Sequence, residues 1–236
     1  MARLQVAGLK KVFDNNGTPL PVLNGIDMTL DDGDFFVVAG RSGCGKTTLL
    51  RILAGLERCD SGSVSAPSDM RVGMVFQEPR LMPWLSVYDN VAFGVEQPQR
   101  DAIMRLIHDV RLDGFENMRP SQLSGGMQHR AALARALAVE PDILLMDEPF
   151  AALDYFTRMA MQELLTELYL SRRVTVVFVT HSIDEALILG RHAAVMGGGR
   201  ITKTWDLSGF DSPRDLSNKA LAETKREILS CIMNPA

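Results

Sequence analysis

Apolar stretches of strand length recur along the chain at residues 35–39 (FFVVA), 72–76 (VGMVF), 143–146 (ILLM), 174–179 (VTVVFV) and 193–196 (AAVM), each bounded by turn residues. Runs that are apolar at nearly every position predict strands covered on both faces, the usual setting of a parallel sheet. Helical patterns fill several of the gaps, notably residues 47–56 and 155–170, so the centre of the chain predicts βα units under a doubly wound sheet. The first thirty residues follow a different rule. Ile26, Met28 and Leu30 alternate with Asp27 and Thr29 before the turn Asp31-Asp32-Gly33-Asp34, which predicts a half-buried antiparallel strand leading into the first core strand.

From 87 to 139 the period becomes helical, with Ile103, Leu106, Ile107 and Val110 spaced to make one apolar face. The expected organisation is a single α/β domain in four parts. Residues 1–86 form an antiparallel β subdomain and the start of the core, 87–140 an inserted helical subdomain, 141–205 the rest of the core, and 206–236 a short tail with a closing helix over 219–232. Residues 206–215, rich in Asp, Ser, Gly and Pro, read as an irregular connection.

Composition narrows the class. Across 236 residues there are 25 Lys+Arg against 29 Asp+Glu, a net charge of -4, and 46% apolar residues, which excludes a wholly disordered, collagen-like or coiled-coil chain. No apolar run approaches the roughly 18 to 20 residues needed to span a bilayer, and the opening MARLQVAGLKK lacks a secretory core, so a soluble cytosolic product is expected. Cys44, Cys59 and Cys231 are too few and too irregularly spaced for a disulfide framework or a zinc site. The acidic balance argues against a sequence-independent nucleic-acid binder.

Chemistry enters where the strand 35–39 runs into Gly40-Arg41-Ser42-Gly43-Cys44-Gly45-Lys46-Thr47, followed by Thr48 and a helix-prone LLRILAGL. This fits G-x-x-x-x-G-K-[ST] in its strand, loop and helix context, a phosphate-binding P-loop. Glycines let backbone N–H groups turn toward phosphate oxygens, and the helix N-terminus adds partial positive charge. Lys46 is expected to bridge the β- and γ-phosphates, with the Thr47 hydroxyl a ligand of Mg²⁺; Cys44 would serve through its N–H. Downstream, the strand 143–146 ends in Asp147-Glu148. Asp147 suits the metal shell and Glu148 the polarisation of an attacking water, although Asp-Glu after a strand, taken alone, is more often a solvated end or a cap.

Those motifs alone would also allow a stand-alone nucleotide hydrolase or kinase. Leu123-Ser124-Gly125-Gly126-Met127-Gln128 separates the possibilities, because Ser-Gly-Gly opening an Ala-rich helix is a second phosphate-capable helix terminus. Here the chain resembles the ATP-binding cassette (ABC) ATPases, whose LSGGQ-like signature lies upstream of the second acidic motif. The resemblance implies that Ser124 to Gln128 cap the γ-phosphate of ATP held by the P-loop of a second copy. It also implies that Gln77 senses metal and water, that Asp154 of Ala151-Ala152-Leu153-Asp154 contacts the partner subunit, and that His181 meets the γ-phosphate. Phe13 falls where an aromatic ring stacks on adenine; otherwise it is a core residue of an early strand.

The fold implied is a P-loop NTPase cassette, mostly parallel, with an N-terminal antiparallel subdomain and an inserted helical one. The catalytic set is Glu148, His181, Gln77 and Lys46; ATP and Mg²⁺ are the cofactors, with Thr47, Gln77 and Asp147 around the metal. Residues 77–91 and 148–154 look like the nitrate/sulfonate/taurine group of importer subunits. The implied partners are a second copy, transmembrane permease chains and, indirectly, a substrate-binding protein, with no nucleic acid. The implied location is peripheral, on the cytoplasmic face of the cell membrane. Met82, Trp84 and Leu85, following Gln77, are the apolar cluster where a membrane partner could dock. A non-transport machine or another transporter class is the alternative.

Overall fold

The computed structural model describes residues 2–210 and 214–233, residues 2 and 3 by backbone alone. Residues 211–213 and 234–236 of the expected tail lie outside the described residues. In chain order the elements are β1 (Ala2–Asn15), β2 (Thr18–Asp31), β3 (Phe35–Ala39), α1 (Lys46–Leu53), β4 (Ser61–Ser65), β5 (Val72–Val75), α2 (Val87–Ala92) and α3 (Arg100–Asp109). After a 3-10 turn (Pro120–Gln122) come α4 (Gly125–Ala138), β6 (Ile143–Asp147), α5 (Tyr155–Arg172), β7 (Thr175–Thr180), α6 (Ile183–Leu189), β8 (His192–Gly197), β9 (Arg200–Asp206) and α7 (Lys219–Met233). They divide into two compact units, one made of the chain up to Asp69 together with Thr175 onward, the other of Met70–Val174.

In the first unit, β2, β1 and β4 form an antiparallel sheet in the order β2-β1-β4. The β1–β2 hairpin turns on Asn16 and Gly17, both at positive φ (53° and 83°), the pairing that matches the twist of the strands it joins. Along β2, Ile26, Met28 and Leu30 are buried and Asp27, Thr29 and Asp31 exposed, as the alternation predicts. The other strands of this unit run β7-β3-β8-β9, the first three parallel and β9 an antiparallel addition. Every residue of β3 and β7 is buried, which is why both read as unbroken apolar runs. Helix α6 packs on β3, and α7 packs on α6 and β8. The Arg214 guanidinium, entering this corner, donates to the carbonyls of Leu187, Gly190 and Leu207 and so ties the tail to the end of α6.

In the second unit β5 and β6 pair in parallel from Val72↔Ile143 to Val75↔Met146. Helix α4 packs on β5 and is itself met by α2, α3 and α5. Ile103, Leu106, Ile107 and Val110 are buried, confirming the apolar face expected of this stretch. Each such side chain taken out of water contributes about 1.5 to 3 kcal/mol, enough to hold a small helical lobe on two short strands.

Candidate nucleotide site

The first unit carries the P-loop. β3 ends at Ala39, and Gly45, in the left-handed region at φ 106°, caps α1. A Cβ at Gly45 would stand 2.8 Å from the Val22 carbonyl oxygen, so both the backbone angle and the space demand glycine there. The turn lets Lys46 fold back. Its side chain is 4% exposed, and its ammonium donates to the carbonyls of Gly40 (2.9 Å) and Arg41 (3.1 Å), at the mouth of the loop. Thr47 and Thr48 are half-buried, Arg41, Ser42 and Gly43 exposed, and Cys44 half-buried. A buried cation, glycine-freed N–H groups and a helix N-terminus at one turn make an anion cradle.

His181 lies in the same unit, in the turn between β7 and α6, with its side chain exposed. The Gly40 N–H donates to the Thr180 carbonyl at 3.3 Å, so the residue before His181 is bonded to the first residue of the P-loop. Phe13, also in this unit, is half-buried on β1 opposite Leu20, with the Lys11 ammonium 5.0 Å from its ring centroid. Lys11 is ion-paired to Glu57 at 2.8 Å, which fixes the cation beneath one face of the ring.

The second unit carries the remaining predicted residues. Asp147 closes β6 and is buried, and Glu148 follows with φ 44°. A left-handed backbone at a non-glycine residue costs about 1 to 3 kcal/mol and is typical of side chains held for a task. Gln77 is exposed two residues beyond β5. Asp154 caps α5: its carboxylate accepts from the N–H groups of Phe156 and Thr157 at 3.1 Å and from the Thr157 hydroxyl at 2.6 Å. The Thr157 hydroxyl, then its N–H, hold this carboxyl below the usual range.

Ser124 caps α4, accepting from the Met127 N–H at 3.3 Å. Gln128 turns inward, its amide donating to the carbonyls of Pro120 (3.0 Å) and Leu123 (3.3 Å), so it braces the signature turn from behind. The two signature glycines differ. A Cβ on Gly126 would stand 2.5 Å from the Thr157 γ-methyl, whereas one on Gly125 would meet nothing within 4 Å. Among the described residues nothing lies close enough to ask for a small residue at 125.

Three residues that pattern reasoning passed over hold these loops. Arg135 on α4 donates to the carbonyls of Arg80 (2.7 Å) and Pro79 (2.9 Å), fastening the segment after Gln77 to the signature helix; burial lowers its pKa. Asn90, fully buried, accepts from the Met82 N–H (2.7 Å) and donates to the carbonyls of Met82, Leu85 and Ser86, so it shapes the loop that leaves Trp84 67% exposed. Thr157 joins the Asp154 cap to Gly126. The only sequence signal for the first two was polarity at an otherwise apolar helical position, since their partners are backbone carbonyls.

Hard oxygens of the kind Mg²⁺ takes alongside phosphates are present on Thr47 in the first unit and on Asp147 and Gln77 in the second. Among the described residues no three His, Cys, Asp or Glu side chains converge on a protein-only cage.

Comparison with known proteins agrees with this chemistry. A sequence model of the family described as "ABC transporter" matches residues 23–151. The aliphatic sulfonates import ATP-binding protein SsuB 1 of Pseudomonas syringae pv. syringae (strain B728a) is 46% identical over 211 residues, covering 89% of each chain. The protein of the same name in Shouchella clausii (strain KSM-K16) is 41% identical, covering 98% of this chain and 91% of its own. A solved dimeric ATP-binding cassette in a post-hydrolysis state, bound to ADP and phosphate, superposes with a TM-score of 0.78 at 29% identity, over 88% of this chain and all of its own. A P-loop opening on a buried lysine, a signature turn with an open glycine, and these relationships together place the chain in the ABC transporter family, as one of its ATP-hydrolysing cassettes.

Proposed function

We propose that two copies of the chain close head to tail around ATP and drive uptake of an aliphatic sulfonate, or a related small anion such as nitrate or taurine, through separate permease chains fed by a substrate-binding protein. The observation that carries the reading is the Gly125 position, open on all sides within its own chain at a capped helix terminus. Smallness there leaves room for a group from outside the chain, here the phosphate of a nucleotide held by another copy, to come close. The solute class rests on relatives named for aliphatic sulfonate import that align over about nine-tenths of the chain.

In each composite site Lys46 and the P-loop N–H groups bind the phosphates, and Phe13 offers a ring face to adenine. Thr47, Asp147 and Gln77 would hold Mg²⁺, which when bound neutralises phosphate charge and orients the γ-phosphate. Glu148 accepts the proton of the attacking water, and His181 donates to the γ-phosphate. Ser124 to Gln128 and Asp154 act from the other copy. The useful work comes from tighter ATP binding by the closed pair than by the open one, since only a differential affinity can shift the equilibrium between them.

The exposed Trp84 on its Asn90-held loop is the surface offered to a permease. Among the described residues no helix is long and apolar enough to cross a membrane. Calorimetry of Lys46→Ala tests the nucleotide site: ATP binding should be lost, and unchanged affinity would remove the basis of the proposal. Reconstitution with the permease and binding protein tests the solute, with aliphatic sulfonates expected to stimulate ATPase activity above a panel of sugars and amino acids.

A further inference from the structure

The turn that carries His181 is closed by a buried polar knot. Thr180, the last residue of β7, is 2% exposed, and Glu185, on α6, is 4% exposed. The Thr180 hydroxyl donates to Glu185 Oε2 at 2.5 Å and accepts from the Ser182 N–H at 2.9 Å. Ser182 Oγ in turn accepts from the Glu185 N–H at 3.3 Å. The peptide bearing His181 is therefore flanked by Thr180, bonded to the Glu185 carboxylate, and by Ser182, bonded to the Thr180 hydroxyl and to the Glu185 N–H. The same Thr180 anchors the other side through its carbonyl, which takes the Gly40 N–H, in register with the Ala39↔Thr180 pairing of β3 and β7.

A purely structural role fits this arrangement poorly. Ser182 alone supplies the cap of α6, and an apolar residue of similar volume would fill the crook between β7 and α6 without the desolvation cost of a buried carboxylate. We infer that Thr180 and Glu185 are positioning residues for the hydrolytic step: together they hold the His181 turn at a fixed distance and orientation from the P-loop. The inference rests on the assignment of His181 to the γ-phosphate made above. Misplacing a transition-state contact by about 1 Å can cost up to 10²-fold in rate.

The test is a double-mutant cycle on the purified full chain, read as ATP affinity and kcat separately. Thr180→Val keeps the shape and removes the hydroxyl. It should lower kcat about tenfold while ATP affinity by calorimetry stays within about twofold, and Thr180→Ser should restore the rate. In a His181→Ala background Thr180→Val should cause no further loss, because the residue it positions is gone. Equal fold-losses in both backgrounds, or a Thr180→Val enzyme at the wild-type rate, would overturn the inference. Should Thr180→Val fail to fold, Glu185→Met, apolar and of similar volume, goes through the same cycle with the same criterion. A His181→Ala protein at the wild-type rate would sink the underlying assignment instead, a result separable from a His181-dependent enzyme that ignores Thr180.

Discussion

Gly125 and Gly126 are adjacent in sequence and alike in chemistry, yet replacing each with alanine should do opposite things to stability. Both sit in the first turn of α4, and neither is at positive φ, so alanine suits the backbone at either position and restricts the unfolded chain. That effect stabilises by about 0.4 to 1 kcal/mol. At 125 nothing offsets it, because the added Cβ meets no atom within 4 Å. Gly125→Ala should therefore raise the melting temperature by about 1 to 4 °C.

At 126 the new Cβ would lie 2.5 Å from the Thr157 γ-methyl, and Thr157 is held by its 2.6 Å bond to Asp154. Overpacking of this kind costs about 1 to 3 kcal/mol, leaving a net loss of up to about 2.6 kcal/mol. The functional prediction runs the other way for Gly125. If a phosphate from another copy approaches that position, the stabilised Gly125→Ala protein should still lose at least about tenfold in ATPase rate. Differential scanning calorimetry and steady-state ATPase assays on the same preparations read both quantities. A Gly125→Ala enzyme with wild-type kcat and KM would refute the argument that its smallness serves a ligand from outside the chain.

Two further outcomes follow from buried polar groups. Asn90→Ala removes four hydrogen bonds that shape residues 82–86 and should cost about 2 to 4 kcal/mol in urea unfolding while leaving ATP affinity intact; a loss below 0.5 kcal/mol would show the loop holds itself. His129, 4% exposed on α4 with a buried Nδ1 that has no hydrogen-bond partner, has its pKa lowered by burial. The unfolded chain then binds the proton more readily than the folded one, so stability is full above the ordinary histidine pKa and falls as pH drops from about 6.5 toward the lowered folded value. His129→Leu should flatten that part of the stability profile, and an unchanged pH slope in the variant would show that another group is responsible.

What could be read from the chain beforehand was whatever is local or continuous. β3, β6 and β7 are buried at every position and so announce themselves as apolar runs, and the P-loop is one contiguous string with its strand and helix attached. β4 could not be seen that way: SGSVS is exposed at four of five positions and exists because its backbone pairs with β1. β9 is likewise a largely polar strand, recruited by antiparallel pairing with β8. The loops around the site follow the same division. Gln77, Asp147, Glu148 and His181 stand at strand ends where position suggests a role, but the groups holding those turns were invisible. Arg135 binds carbonyls 55 and 56 residues away, and backbone acceptors leave no trace in residue identity. Glu185 is one of two acidic residues in the first turn of α6, and its burial and its bond to Thr180 distinguish it from Asp184.

The central claim is that hydrolysis belongs to two copies closed on ATP, with Glu148 drawing the proton from water. Light scattering of Glu148→Gln with and without ATP and Mg²⁺ tests it most directly. The expected result is a monomer without nucleotide, twice that mass with it, negligible turnover, and loss of the larger species when Gly125→Ala or Lys46→Ala is added. A Glu148→Gln protein that remains monomeric in saturating ATP and hydrolyses it at the wild-type rate would contradict the account.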